Sequence, residues 1–227
     1  MKNLLLKTSL LLSTLLTIQA ANAATINWGP ATNITDDTNV SEDGSLIYAY
    51  NFGNPAVSPV VNGTTFTGRN IGGSWLNFPT AFGFNAAPFD LLSSNYQSLL
   101  RSGSNFVTAG TTSYGFSDLT VGQEYQVQFW VNDSRGAVTT RSTIFDGVVT
   151  LRANTTEMDG GLGQFVTGSW IADGPAQTIT LSGPDTAITL NAVRFAAVPE
   201  PQTFVLLGLA GVSLLVRMKR RSQASLK

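Results

Sequence analysis

Neither cysteine nor histidine occurs anywhere in the chain. Disulfides and the usual thiolate or imidazole metal staples are closed to it, so any folded domain rests on its apolar core. The same absence excludes Ser-His and Cys-His nucleophile pairs, and zinc, iron–sulfur and haem sites of the ordinary kinds. With 22 Gly, only 12% charged residues, and abundant Thr and Asn, the composition disfavours a helical bundle or coiled coil.

Charge is segregated along the chain. All four lysines lie near the termini, and between Ala24 and Gln202 six arginines face all fourteen acids, leaving −8. That sign argues against nucleic acid as a partner, because phosphate binding needs a basic face. At the start, Lys2 and Lys7 stand at the head of an apolar run from Leu4 to Ile18, and Ala21-Asn22-Ala23 follows. The order of charge, apolar run and small-x-small site predicts a secretory signal peptide over residues 1–23.

At the other end, Val198-Pro199-Glu200-Pro201-Gln202 precedes an uncharged run from Thr203 to Val216 and the basic cluster Arg217, Lys219, Arg220 and Arg221. Fourteen helical residues rise about 21 Å, short of a hydrocarbon core of about 30 Å, so a helix over 203–216 is a marginal anchor. The basic cluster places the tail 217–227 in the cytoplasm and Pro199-Glu200-Pro201 at the outer lipid boundary. Two prolines forbid helix there and leave an extended tripeptide with one carboxylate.

This tripartite tail, Val198 to Arg221, resembles the PEP-CTERM sorting signal of Gram-negative bacteria. The resemblance implies that an exosortase, a membrane-embedded cysteine transpeptidase, reads Pro199, Glu200 and Pro201 and removes the helix. It also implies a membrane-anchored precursor with a periplasmic domain, transiently held at the inner membrane, then release to the cell surface or the extracellular polymeric matrix. An anchor that is never cut is the alternative.

Residues 24–197 read as one all-β domain, long enough to bury around 70% of the unfolded surface. Tyr125 to Val131 alternates Tyr125, Val127, Phe129 and Val131 with Gln126, Gln128 and Trp130, predicting a strand with one wet face. Further strands are expected at Leu46–Phe52, Thr140–Phe145, Val148–Arg152, Gln164–Ala172, Gln177–Leu181 and Ile188–Ala196. Asn62-Gly63, Asp146-Gly147 and Asp173-Gly174-Pro175 punctuate them as turns. Phe89 to Ser102 has near-helical apolar spacing and is expected to form one short helix capped by Asp90. The pattern predicts a jelly-roll β-sandwich with one short helix.

Leu119 to Tyr125, Trp130 to Asp133, Phe145-Asp146-Gly147 and Leu190 to Phe195 together resemble the galactose-binding-like jelly rolls of carbohydrate-binding modules. That resemblance implies sugar contacts on variable loops and transfers no individual residue.

The chemistry available is short. Carboxylate-only catalysis of the glycosidase type has Glu42, Asp43, Glu124, Asp133, Asp146, Glu157 and Asp159 as candidates, all beside turns where capping is the plainer role. Asp36 and Asp37 with Glu42 and Asp43 are candidate oxygen ligands for a structural calcium ion, with solvated loops as the alternative; no other cofactor is expected. Among Trp28, Trp75, Trp130 and Trp170, Trp75 is the first candidate for stacking on a sugar, because Gly72-Gly73-Ser74-Trp75-Leu76-Asn77 reads as a Gly-rich loop carrying either an anchor or a lid over the core. Trp130 is the second. Asp133, Arg135 and Arg141 are candidate ligand contacts, with pairing of the two arginines to Asp133 or Asp146 as the plainer reading. The expected function is a non-catalytic, polysaccharide-binding surface or matrix protein. A self-associating structural matrix protein without sugar specificity and a carboxylate glycosidase are the alternatives.

Overall fold

A computed structural model describes residues 24–106, 110–136, 141–184 and 187–199. In chain order the strands are β1 (Asn27–Trp28), β2 (Thr32–Asn33), β3 (Ser45–Phe52), β4 (Val60–Val61), β5 (Thr64–Thr65), β6 (Thr67–Arg69) and β7 (Trp75–Phe78). Helix α1 (Ser94–Arg101) follows, then β8 (Gly103–Phe106), β9 (Thr111–Phe116), β10 (Glu124–Val131), β11 (Ser142–Phe145) and β12 (Val149–Arg152). The last strands are β13 (Gln164–Ile171), β14 (Gln177–Ser182), β15 (Ile188–Leu190) and β16 (Ala192–Ala197).

The fold is mostly β. The main sheet runs β1-β13-β10-β16-β3-β6, with β2 also on β13, and a second sheet runs β12-β11-β14-β9. The alternation in β10 decides how they meet. Val127 and Phe129 share one buried cluster with Phe195 and Val193 of the main sheet and with Phe145, Ile179 and Leu181 of the second. Burying side chains of this size contributes about 1.5–3 kcal/mol each, and here it joins the two sheets face to face. A small sheet, β15-β8-β7, flanks them.

The other face of β10 is not wet as its glutamines suggest, for Gln128 and Trp130 are buried. Helix α1 and the β4-β5 hairpin cover that face, putting Tyr96, Leu99, Leu100, Val61 and Phe66 against Trp130. Phe66 meets the Trp130 ring edge-on at 5.6 Å, and the Trp130 indole N–H donates to the Tyr96 hydroxyl at 3.0 Å. The amphipathic role of β10 is thus completed by sequence elsewhere in the chain.

The helix is capped by Ser93, whose hydroxyl accepts the Tyr96 N–H, rather than by Asp90, which sits in a separate single turn of 3₁₀ helix, Phe89–Leu91. The expected strand Ile188–Ala196 breaks at Asn191 into β15 and β16, which belong to different sheets. Asn62 and Gly63 both take positive φ and close the β4-β5 hairpin as the sequence predicts; Asp146-Gly147 does the same between β11 and β12. Asp173-Gly174-Pro175 instead carries the chain from one main sheet to the other.

Candidate functional site

A concavity with convergent polar and aromatic groups lies between β3 and β9. It encloses about 450 Å³ and is walled by Tyr48, Tyr50, Tyr114, Arg69, Asn70 and Asp118, among others. Residues two apart on a strand share a face, so Tyr48 and Tyr50 project together. Their rings stack at 4.5 Å with planes 19° apart. Behind them Phe195 lies 5.2 Å from Tyr48, and across the opening Tyr114 packs edge-on to Phe52 at 6.0 Å. The Arg69 guanidinium sits 4.6 Å from the centre of the Tyr50 ring, a cation–π pair in the wall of the cleft.

Burial pushes the Tyr48 hydroxyl up to about 12, against a smaller opposing effect of the Tyr114 hydroxyl. Burial also raises Tyr114. Both are neutral donor-acceptor groups at ordinary pH. The cleft therefore combines aromatic rings with hydroxyl, guanidinium, amide and carboxylate groups around them.

None of these tyrosines belongs to the site expected from sequence, although Tyr48, Tyr50 and Phe52 at alternate positions of a predicted strand carried the signal. The expected stacking residues lie elsewhere. Trp75 begins β7, is 8% exposed, and packs 5.7 Å from Phe106 in the core, so it cannot present its face to a sugar. Trp130 is wholly buried under α1. Asp133 is sealed as well: its carboxylate accepts Arg135 Nε at 2.8 Å and Nη2 at 2.7 Å, and Arg141 Nη1 at 3.0 Å. These three side chains form an ion cluster around the buried Asp133, the pairing that the sequence also offered for them. Asp146 takes no part; it accepts the Trp28 indole N–H and the Thr180 N–H.

The chain leaves the fold beside the first residue of β10. Val198 N–H donates to Glu124 C=O at 2.9 Å, and Gln123 Nε2 donates to Val198 C=O at 2.6 Å. The next residue, Pro199, is exposed and has no N–H to donate to the ladder. Immediately beyond come Glu200, Pro201, the uncharged run and the basic cluster.

Residues 197–221 match the PEP-CTERM protein-sorting motif.

The PEP-CTERM motif implies an exported protein that is membrane-anchored and then processed by an exosortase-type enzyme. No curated protein and no solved structure matches the chain. Pro199 is the one motif proline that the structure describes; Glu200, Pro201, the run 203–216, and Arg217, Lys219, Arg220 and Arg221 lie outside the described residues, as does the expected signal peptide. Among the described residues no helix is long and apolar enough to cross a membrane.

In the domain that precedes the PEP-CTERM motif, the expected calcium ligands are dispersed into local roles. Asp36 caps the 3₁₀ turn Asp37–Asn39, and hydrogen bonds from Thr38 hold its carboxyl below the usual range. Asp37 accepts the Ser93 hydroxyl at 2.8 Å, tying that turn to the start of α1. Asp43 accepts the Ser41 hydroxyl, and Glu42 lines a separate open hollow with Asn62 and Gln128. Among the described residues no group of three or more acidic side chains converges as a metal site.

Proposed function

We propose that the exported domain is a non-catalytic carbohydrate-binding module of jelly-roll type, displayed at the cell surface or in the extracellular matrix. The stacked Tyr48-Tyr50 pair beneath Arg69 is the observation that carries this reading. Sugars present C–H faces that lie against aromatic rings, and their hydroxyls suit Arg69, Asn70, Ser117 and Asp118 around the opening. Among the described residues Asp118 is the one carboxylate lining the cleft, whereas glycoside hydrolysis works with a pair of carboxyls, which favours binding over turnover.

Affinity electrophoresis of the processed protein against a polysaccharide panel, with and without calcium, tests this. Retardation by one polymer that is lost in Tyr50→Ala and Arg69→Ala, and kept in Leu91→Ala on the distant surface, is the expected result. Absence of retardation by every polymer in both conditions moves the reading to a structural matrix protein, with self-assembly as the next measurement.

A further inference from the structure

Both ends of the domain emerge at the same rim. Val198 is fastened to Glu124 at the start of β10, and at the other end Ala24 C=O accepts Gln177 Nε2 at 3.0 Å, at the start of β14. The turns that close this rim join the two positions: Leu119 N–H donates to Pro175 C=O, and Gly122 N–H to Ala172 C=O. Only residues 199–202 separate Val198 from the uncharged run. Five peptide steps span at most about 18 Å. A headgroup layer takes roughly 5–8 Å of that, so the rim stands within about 10–13 Å of the lipid surface at full stretch. A less extended path brings it closer still.

The rim is also where apolar side chains are exposed next to the exit. Val121 is 63% and Ile171 62% exposed, and Leu46, paired beside Ala196, is 46% exposed. Ile171 pairs with Glu124, the residue that holds Val198. Single exposed apolar residues are ordinary on a protein surface. Three lie on strands or turns next to the one point where a membrane-bound tail leaves, and the covalent chain fixes the surface they face.

We propose that in the anchored precursor this rim docks on the bilayer surface, with Val121, Ile171 and Leu46 at the lipid interface. The inference rests on the membrane-anchored stage that the sorting motif implies, and not on the carbohydrate reading. Its consequence is orientational. The domain stands end-on with its exit point at Val198 held at the membrane surface, within reach of a membrane-embedded peptidase, while the opposite end of β10 points away. Asp118, Glu124 and Asp173 lie at the same rim, so contact is favoured by apolar insertion and by the tether, and a zwitterionic surface suits it.

The natural absence of cysteine makes the test clean. Single variants Val121→Cys and Ile171→Cys at the rim, and Met158→Cys at the far end, are made in the precursor with its tail intact. Met158 is 68% exposed and belongs to the loop whose Gly160 N–H donates to Ser134 C=O, beyond the C-terminal end of β10. Each is labelled with an environment-sensitive thiol dye and placed in phosphatidylcholine nanodiscs containing a headgroup-nitroxide lipid. The expected result is blue-shifted emission and severalfold stronger quenching at 121 and 171 than at 158. Equal quenching at all three positions overturns the proposal. So does a rim-specific shift that occurs only when the processing enzyme shares the nanodisc, which would assign the rim to a protein partner.

Discussion

The Asn191 side-chain oxygen accepts the Asn132 backbone N–H at 2.6 Å, and both residues are wholly buried. The Asn191 amide nitrogen donates to Leu100 C=O at 2.9 Å and Ser102 C=O at 2.8 Å, the two carbonyls at the end of α1. One side chain thus closes the C-terminus of the helix, breaks the β15-β16 segment, and joins both to the end of β10. Asn132 repeats the device, its oxygen accepting Gly163 N–H at 2.9 Å.

Replacing Asn191 with Ala leaves the Asn132 N–H and the Ser102 C=O buried without their Asn191 partner, and leaves the Leu100 C=O with only the Asn132 side-chain amide at 3.4 Å. An orphaned buried polar group costs about 1–3 kcal/mol, so a loss of roughly 3 kcal/mol is expected after partial relaxation. For a domain of this size that lowers Tm by about 6–12 °C, which calorimetry of the processed protein measures. Asn191→Asp is expected to be no better, because a carboxylate faces the same two carbonyls.

Such residues explain which parts of the fold were legible from sequence. Long strands such as β10 and β13 announce themselves because period-two alternation and flanking turns act locally. Trp75 misleads for the same reason: Gly72 and Gly73 beside it do form an exposed turn, but pairing of β7 with β8 draws the indole inward. Strands of two or three residues, β1, β2 and β4 to β6, have too few positions to show a period. The tyrosine cleft depends on β3 and β9 meeting across two sheets, a relation that neither strand encodes alone. The sorting motif, by contrast, is contiguous and needs no fold to be read.

Asp133 connects Arg135 and Arg141 across the segment between β10 and β11. Asp133→Asn is expected to cost about 2–4 kcal/mol, since removing one member of a buried ion pair leaves charge without compensation. The share due to Arg135, whose side chain is 37% exposed, is reduced by solvent screening. In a double-mutant cycle by urea unfolding, Arg141→Gln is expected to destabilise the natural protein and to add little in the Asp133→Asn background.

Two glycines with similar backbone angles should respond differently to a methyl group. Gly63 has φ +73° and nothing within 4 Å of a Cβ position, so Gly63→Ala meets only the left-handed backbone penalty of about 1–2 kcal/mol. Gly53 has φ +81°, and a Cβ there runs into the backbone of Gly103. Collision with backbone adds about 1–3 kcal/mol, and Gly53→Ala is expected to lower the urea midpoint by clearly more than Gly63→Ala. Equal midpoints would show that β8 yields freely at that approach.

Alkaline pH should loosen the walls of the cleft through Tyr48. In the unfolded chain its hydroxyl ionises near the ordinary tyrosine value of 10.0, whereas in the fold burial pushes it up to about 12. Between those values the folded state binds the extra proton, so stability is fully present below pH 10 and falls as pH rises toward 12. One such group contributes a slope of at most about 1.4 kcal/mol per pH unit, lessened by its partial exposure. Burial of Tyr114 acts in the same direction and steepens the decline. Urea unfolding of the natural protein and of Tyr48→Phe across this range checks it: the Phe variant lacks the ionising group and should show the shallower fall, and parallel curves would remove Tyr48 as the cause.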